Sequence, residues 1–146
     1  MRNDLKGTVV FDAGVIIEML FSSASGKAIK DLLIKGVIEA ITTETAILET
    51  EYILCRKLGC SEAVDRIEKL IASNYIMIKP LNTILEIATQ YKCRRALSLP
   101  DCQVLALAQL FKAPAIFAKR EEEIDIEIKR EPFDIDILFL DKGIIS

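Results

Sequence analysis

Short apolar runs with strand character alternate along the chain with longer stretches that have helical spacing. The apolar and β-branched runs predict strands at 8–12, 37–41, 75–78, 115–117 and 135–140. The helical stretches fall between them, at 14–21, 26–35, 43–58, 61–73, 82–95 and 99–112, and the charged stretch 119–124 is compatible with another helix. Strands that alternate with helices indicate βαβ units. We therefore predict a three-layer α/β/α domain with a mainly parallel central sheet of four to five strands, whose last strand could be an antiparallel edge.

Polar residues and glycines mark several borders of these elements. Thr43 and Ser61 are suited to begin helices, and Gly59 is suited to end one. Ser98 is suited to cap the helix at 99–112, and Pro100 is compatible with this start because proline is tolerated in the first turn of a helix. No repeat, low-complexity tract or linker interrupts the pattern, so residues 1–146 are expected to form one domain.

Composition narrows the class of protein. Apolar residues make up 51% of the chain, and no apolar stretch approaches the roughly 20 residues of a membrane span. An acid stands where a signal peptide would be basic, which favours a soluble cytoplasmic protein. Abundant Ile, Glu and Lys with few Asn and Gln lean towards a thermophile. A net charge of −3 argues against a general nucleic-acid-binding protein, but it leaves room for an enzyme that holds a phosphodiester through a metal ion.

Histidine and cysteine usage excludes several kinds of chemistry. The chain has no histidine, so the His-dependent catalytic triads are absent, and its four cysteines form no C-x-x-C pair of the zinc-binding kind. We interpret the cysteines as small buried apolar residues, with a disulfide as the less favoured alternative. An enzyme with this composition must use carboxylates, Lys, Tyr, Cys or a metal ion.

Several acids stand where strands end or helices begin. Asp12 follows the first strand directly, the position where open α/β sheets bind ligands. Glu49 lies at the edge of the apolar stripe of the helix 43–58, and Glu51 lies inside it. Asp101 is the third residue after Ser98, so it either completes a helix cap or lines a cleft. The alternative for the helix 43–58 is that its acids only complement the helix dipole.

Three segments resemble, in order, the motifs of the PIN-domain family, and in particular the archaeal VapC-type toxin ribonucleases. Residues 8–17 carry the first acid at Asp12, residues 45–59 carry Glu49 and Arg56, and residues 97–108 carry Asp101. The segment 115–121 is similar to the last strand of the family.

The chain departs from the family pattern at three places. Gly14 stands where the family often has Ser or Thr, and Glu51 stands where it prefers an apolar residue. The usual Thr-x-Asp near the fourth acid is replaced by Ala118-Lys119-Arg120. The fourth acid is therefore Glu121, Glu122 or absent.

The resemblance implies a metal-dependent endoribonuclease whose products carry a 5′-phosphate and a 3′-hydroxyl. It implies Asp12, Glu49 and Asp101 as catalytic residues and Mg²⁺ or Mn²⁺ as the cofactor. Asp12 and Asp101 would hold the metal, with Glu49 and Glu121 as further candidates. The basic residues placed to contact RNA are Arg56, Arg94, Arg95 and Lys119.

The resemblance also implies partners, namely a second copy of the chain and a small antitoxin that fills a groove between helices. Apolar residues that could line this groove, or belong to the core, are Val15, Ile16, Leu20, Phe21, Leu54 and Leu58. We expect Tyr52 to be a core residue rather than a platform for RNA bases. The alternative function is a PIN-like binding module that has lost catalysis and acts through protein or RNA partners.

Overall fold

Five parallel strands form the central sheet of the computed structural model, which describes residues 5–142. They are β1 (Gly7–Phe11), β2 (Ile38–Thr43), β3 (Ile76–Lys79), β4 (Ala115–Phe117) and β5 (Ile137–Phe139), in the order β3-β2-β1-β4-β5. The helices are α1 (Ala13–Leu20), α2 (Ala24–Ile34), α3 (Glu44–Leu58), α4 (Cys60–Ser73), α5 (Leu85–Arg94), α6 (Leu99–Phe111) and α7 (Glu122–Arg130). Single 3₁₀ turns occur at Leu81–Thr83 and Leu140–Lys142.

Helices cover both faces of the sheet, and the strand residues alternate between them. Val9 and Phe11 of β1 pack on the side that holds α1 to α4, while Val10 packs on the side of α5 to α7. Alternation of this kind follows from the two-residue period of a strand, and burial on both faces explains the continuous apolar runs. The predicted three-layer α/β/α fold is confirmed.

Two predictions about the end of the chain are wrong. The last strand is parallel to β4 and shorter than 135–140, because α7 carries the chain back across one face of the sheet before β5 begins. The charged stretch 119–124 does not form a helix by itself. Instead α7 starts at Glu122 and continues to Arg130, with Ile124 buried against the core.

The predicted burial of the cysteines and of Tyr52 is also largely wrong. Cys102 alone is fully buried, Cys93 is exposed, and Cys55 is joined to Cys60 by a disulfide. Tyr52 is 44% exposed. Of the apolar residues proposed for a groove, Val15, Ile16 and Leu54 are core, Leu20 is half-buried, and Phe21 and Leu58 are exposed.

The Gly26→Ala variant is expected to be about 3 kcal/mol less stable, because the α1–α2 hairpin leaves no room for a methyl group. A Cβ on Gly26 would overlap the carbonyl group of Glu18 and lie 2.7 Å from the backbone nitrogen of Met19. Gly36→Ala is the matched control. Gly36 has a φ of 72° but open space around it, so only about 1 kcal/mol is expected from backbone strain. Equal urea midpoints for Gly26→Ala and the unsubstituted protein would contradict this packing.

Candidate active site

The strand order reverses between β1 and β4, and the candidate acids gather at this point. The chain moves from β1 to β2 on one side, whereas β4 lies on the other side of β1. A crevice forms at such a switch point, beyond the carboxyl ends of the strands. Asp12 follows β1 there, and its backbone nitrogen donates to the carbonyl of Ile116 in β4 at 3.0 Å. Residues that follow β4 are therefore close to Asp12.

Asp12 has two roles in the fold. Its side chain caps α1 by accepting a hydrogen bond from the Gly14 nitrogen at 3.3 Å. Burial raises the pKa of Asp12 to about 6, and repulsion from Glu49 and Glu121 adds to this, while the Gly14 hydrogen bond opposes it. A cation close to Asp12 would therefore stabilise the ionised form of this carboxylate.

Asp101 both belongs to a helix cap and faces the other acids. Its backbone nitrogen donates to the Ser98 hydroxyl at 3.3 Å, as expected for an N-cap, and its side chain is buried at 8% exposure. Burial raises the pKa of Asp101 to about 6, and repulsion from Asp12 and Glu49 contributes, while a hydrogen bond with Ser98 opposes the shift. The sequence offered a helix cap and a cleft as alternative roles for Asp101, and in the structure Asp101 has both.

Glu49 supplies an unsatisfied oxygen to the same cleft. Burial raises its pKa, and its Oε1 atom is buried with no hydrogen-bond partner. An unpartnered buried carboxylate oxygen is unfavourable unless a proton or a cation compensates it. Glu49, rather than Glu51, is the acid of α3 that raises the pKa of Asp12 and of Asp101.

Glu121 is the acid after β4 that joins this group. Burial raises its pKa, followed by repulsion from Asp101 and Glu49 and a hydrogen bond with Asp101. Arg120 occupies the position of the family's acid, but its guanidinium lies 3.3 Å from Asp125 Oδ1 and 4.9 Å from the centre of the Phe139 ring. Asp12, Glu49, Asp101 and Glu121, here called the acidic cleft, come from four different parts of the chain.

The four carboxylates of the acidic cleft are hard oxygen ligands, the type that a divalent cation such as Mg²⁺ prefers. Within residues 5–142, no three acidic or cysteine side chains are close enough to form a ready-made metal cage. Mg²⁺ needs only one or two carboxylates together with water. The unpartnered oxygen of Glu49 and the mutual repulsion of the acids are the features that a cation would relieve.

Gly14 and Ala118 lie against each other beside Asp12. A Cβ on Gly14 would lie 3.0 Å from the Cβ of Ala118 and 3.5 Å from Oδ2 of Asp12. These are the two positions where the chain lacks a hydroxyl that the family often has. The two departures from the family pattern, at Gly14 and at Ala118, are far apart in the sequence but adjacent in the structure.

The basic candidates fall into two groups. Arg56, Arg94 and Lys119 are exposed, and Arg56 lies 5.0 Å from the centre of the Tyr52 ring. The structure removes Arg95 from the RNA-binding candidates. Its side chain is only 7% exposed, pairs with Glu127 at 3.6 Å and is therefore committed to the core of this protein.

Arg95 has further partners that explain its burial. Its guanidinium donates to the carbonyl of Glu131 at 2.6 Å and lies 3.7 Å from the centre of the Phe133 ring. Lys92, its neighbour on α5, is also occupied, because it donates to the Leu97 carbonyl at 2.6 Å. The partners of Arg95 come from α7 and the loop after it, more than 30 residues along the chain, so the local sequence carried no signal for them.

The metal-free protein is expected to lose stability as the pH rises from about 4 to about 6. Asp12 and Asp101 have folded pKa values of about 6, above the value of 3.8 for an unperturbed Asp, so the folded state binds more protons in this window. The loss is about 3 kcal/mol for each of the two groups, and the sum for the pair is smaller because part of the Asp101 shift is its repulsion from Asp12. Urea midpoints in EDTA and in excess Mg²⁺ measure it, since a bound cation should flatten the profile. Identical profiles with and without metal would contradict the expectation.

The structure is a parallel α/β/α sandwich with acids from several elements at its switch point, where open α/β sheets bind ligands. The chain belongs to the PIN domain family, whose model matches residues 9–126. No curated protein sequence matches it.

Solved structures with the same fold include toxins. VapC20 of Mycobacterium tuberculosis, described as a Sarcin-Ricin loop cleaving toxin, has a TM-score of 0.63 at 18% identity over 81% of this chain and 94% of its own. VapBC2 of Rickettsia felis, bound to a DNA fragment from its promoter, has a TM-score of 0.63 at 12% identity over 90% and 98% of the two chains. A toxin-antitoxin complex from Klebsiella pneumoniae has a TM-score of 0.58 at 20% identity over 80% and 89%. At these identities the likeness is one of fold.

Within the described residues, no helix is both long enough and apolar enough to span a membrane.

Proposed function

We propose that this protein is a metal-dependent endoribonuclease that hydrolyses RNA phosphodiester bonds, as the toxin of a VapBC-type pair. The observation that carries the proposal is the acidic cleft. There, acids from four parts of the chain raise one another's pKa values, and Glu49 has a buried oxygen without a hydrogen-bond partner. Membership of the PIN domain family and the shared fold with VapC20 support it.

In this mechanism Asp12 and Asp101 would hold Mg²⁺ or Mn²⁺, with Glu49 and Glu121 as further candidate ligands. When bound, the cation supplies a water of lowered pKa and neutralises charge on the phosphate. The protein's own groups hold the acids in position and accept the proton of the attacking water. The Gly14 nitrogen holds Asp12 by donating a hydrogen bond to its Oδ2 atom, and the Ser98 hydroxyl holds Asp101. Glu49 would accept the proton of the attacking water, and the leaving 3′-oxygen would take up a proton from solvent as its bond to phosphorus breaks.

The RNA backbone needs cations outside the acidic cleft, because the acids repel phosphate. Arg56, Arg94 and Lys119 are exposed and remain our candidates for phosphate contacts. Arg56 is placed on α3, the helix that carries Glu49, with its guanidinium above the exposed Tyr52 ring. This pair presents a positive charge and an aromatic face together, which suits a phosphate and its adjoining base.

A homodimer and a small antitoxin complete the proposal. Support for an antitoxin comes from the fold shared with the toxin-antitoxin complex of Klebsiella pneumoniae and with VapBC2. Co-expression with the product of a neighbouring small reading frame should suppress the activity of the purified complex. Light scattering should show a mass of two chains for the free protein.

The Glu121→Gln variant is expected to lose at least about 10-fold in the rate of RNA cleavage, whereas Glu122→Gln should stay within about 2-fold. Both side chains are exposed, but Glu121 interacts with Asp101 and Glu49 and raises the pKa of Asp12, whereas Glu122, the first residue of α7, is not among the acids that raise it. Cleavage rates of a labelled RNA at saturating Mn²⁺ measure both. Equal rates for the two variants would remove Glu121 from the cleft.

A catalytically inactive binding module is the second candidate function. It is favoured by the absence of hydroxyl groups at Gly14 and Ala118 and by Arg120 at the position of the family's acid. Incubation of a mixed RNA pool with the protein in Mg²⁺, Mn²⁺ or EDTA separates the two. The nuclease predicts metal-dependent fragments with 5′-phosphate and 3′-hydroxyl ends. RNA that stays intact under every metal condition would favour the binding module.

A further inference from the structure

The corner between α3 and α4 carries a reactive group that the acidic cleft does not use. Cys55, in the last turn of α3, forms a disulfide with Cys60, the first residue of α4, and Gly59 turns the chain between them with a φ of 91°. We propose that this disulfide is a site of reversible thiol–disulfide exchange. In this exchange Cys60 is the sulfur that reacts with small thiols and disulfides from solution.

The two sulfurs differ in access. Cys60 is exposed, whereas Cys55 is half-buried and packs against the core on the α1 to α4 side of the sheet. Exchange requires a thiolate to approach one sulfur of the disulfide from solution. Cys60 is the more accessible of the two residues to such an approach. Cys55, the half-buried member of the pair, is therefore suited to close the disulfide again rather than to meet the external reagent.

The surroundings of Cys60 favour a negative sulfur. Cys60 begins a 14-residue helix whose N-cap, Gly59, provides no side-chain hydrogen bond to the free backbone nitrogens. The positive end of the helix dipole favours an anion at this position. Arg56 and Lys57 in the last turn of α3 lie over the Tyr52 and Phe21 rings, and Glu62 is an acid in the first turn of α4, so the helix dipole is the feature that favours an anion at Cys60. When the disulfide is open, this dipole favours the nucleophilic thiolate at Cys60.

The exchange balances with a small thiol such as glutathione as the reductant. Its thiolate attacks the sulfur of Cys60, the bond to Cys55 breaks, and Cys55 leaves as a thiolate that takes up a proton. A second small thiol attacks the mixed disulfide and releases Cys60. Two small thiols become one small disulfide, and the protein gains two electrons and two protons. Oxidation by the small disulfide follows the same steps in reverse, with Cys60 carrying the mixed disulfide in both directions.

The expected consequence of exchange is a change in stability of the α3–α4 corner. The disulfide closes a short loop, with a sequence separation of 5, so opening it should lower the melting temperature by about 5 °C. Leu54 is fully buried and lies between Cys55 and the cleft residue Glu49 along α3. Because this anchor holds the helix, we expect the geometry at Glu49 to be unchanged by reduction.

The other cysteines provide the controls for a test. Cys102 is fully buried, whereas Cys93 is exposed and free, so the test is made in the full chain with Cys93→Ser. The protein is equilibrated in buffers of glutathione and glutathione disulfide, free thiols are trapped with a maleimide, and the adducts are counted by mass spectrometry. We expect two thiols to appear together as the buffer becomes reducing, with a melting temperature about 5 °C lower at the reduced end.

Single variants identify the exchanging sulfur. With Cys55→Ser, glutathione disulfide should modify Cys60 at least about ten times faster than it modifies Cys55 in Cys60→Ser. Rapid trapping during oxidation of the reduced pair gives the same information without either substitution. Modification of both sulfurs at equal rates would overturn the assignment to Cys60. A pair that stays open in excess glutathione disulfide, or closed in excess glutathione, would overturn reversible exchange. None of these readouts uses RNA, so the result is independent of the proposed nuclease.

Discussion

The Asp12→Asn variant is expected to be more stable than the unsubstituted protein in metal-free buffer at pH 8, although it loses the metal ligand that we propose. The charge of Asp12 is buried next to Glu49 and Glu121, and this raises its pKa to about 6. At pH 8 the folded protein must carry that unfavourable charge. Asparagine removes the charge and keeps a side-chain oxygen, so it can still accept the hydrogen bond from the Gly14 nitrogen that caps α1.

The size of this effect follows from the pKa difference between folded and unfolded chain. A rise from 3.8 to about 6 corresponds to about 3 kcal/mol at a pH above both values. The melting temperature should therefore rise by about 6 °C. Asp31→Asn is the matched control, because Asp31 is 55% exposed in an i,i+4 pair with Lys35 and should change stability little. A lower melting temperature for Asp12→Asn in EDTA would contradict the electrostatic account of the cleft.

Added metal should reverse the order of the two proteins. A cation that binds only the folded state stabilises it in proportion to the logarithm of its concentration over the dissociation constant. Mn²⁺ is therefore expected to raise the melting temperature of the unsubstituted protein and to leave that of Asp12→Asn nearly unchanged. Equal shifts in both proteins would place the bound metal outside the cleft.

The Glu127→Ala variant is expected to lose about 4 kcal/mol of stability, the largest loss among the substitutions considered. Glu127 is 3% exposed and pairs with Arg95 at 3.6 Å and with Arg130 at 2.8 Å. Arg130 is 48% exposed and can be hydrated when Glu127 is removed, but Arg95 is 7% exposed and cannot. Alanine therefore leaves a buried guanidinium without its carboxylate partner.

Urea denaturation of Glu127→Ala beside Glu131→Ala measures this loss. Glu131 is 57% exposed and lies 4.0 Å from Arg130, so its replacement should change stability by less than about 1 kcal/mol. The hydrogen bond from Arg130 lowers the pKa of Glu127, so the contribution of this carboxylate is present at neutral pH and is lost progressively as the pH falls from 4.5 through the lowered pKa of the folded state. Equal midpoints for the two variants at pH 7 would show that Arg95 does not depend on Glu127.

The sequence was sufficient for the local parts of this fold. The strand 115–117 and the borders of α3 at Thr43 and Gly59 follow from apolar runs and capping residues that act within a few positions. The parts that were missed depend on distant contacts. Burial of Arg95 by Glu127 involves elements 32 residues apart, and the exposure of Tyr52 depends on which side of α3 the remaining helices cover.

The acidic cleft shows the same division. Asp12 and Asp101 stand at a strand end and in a helix cap, where the local sequence indicates an outward carboxylate. The choice between Glu121 and Glu122 depends on how the chain leaves β4, which no local pattern specifies. The contact of Gly14 with Ala118 likewise needs the pairing of β1 with β4, although both departures from the family motif were visible in the sequence.

RNA cleavage by the unsubstituted protein and by Asp12→Asn, compared in Mn²⁺ and in EDTA, tests the central claim most directly. Asp31→Asn serves as the control, and circular dichroism verifies that all three proteins are folded. We predict cleavage by the unsubstituted protein and by Asp31→Asn in Mn²⁺ only, and a rate at least about 100-fold lower for Asp12→Asn. Cleavage that persists in EDTA, or an unchanged rate for Asp12→Asn, would contradict a metal-dependent nuclease centred on Asp12.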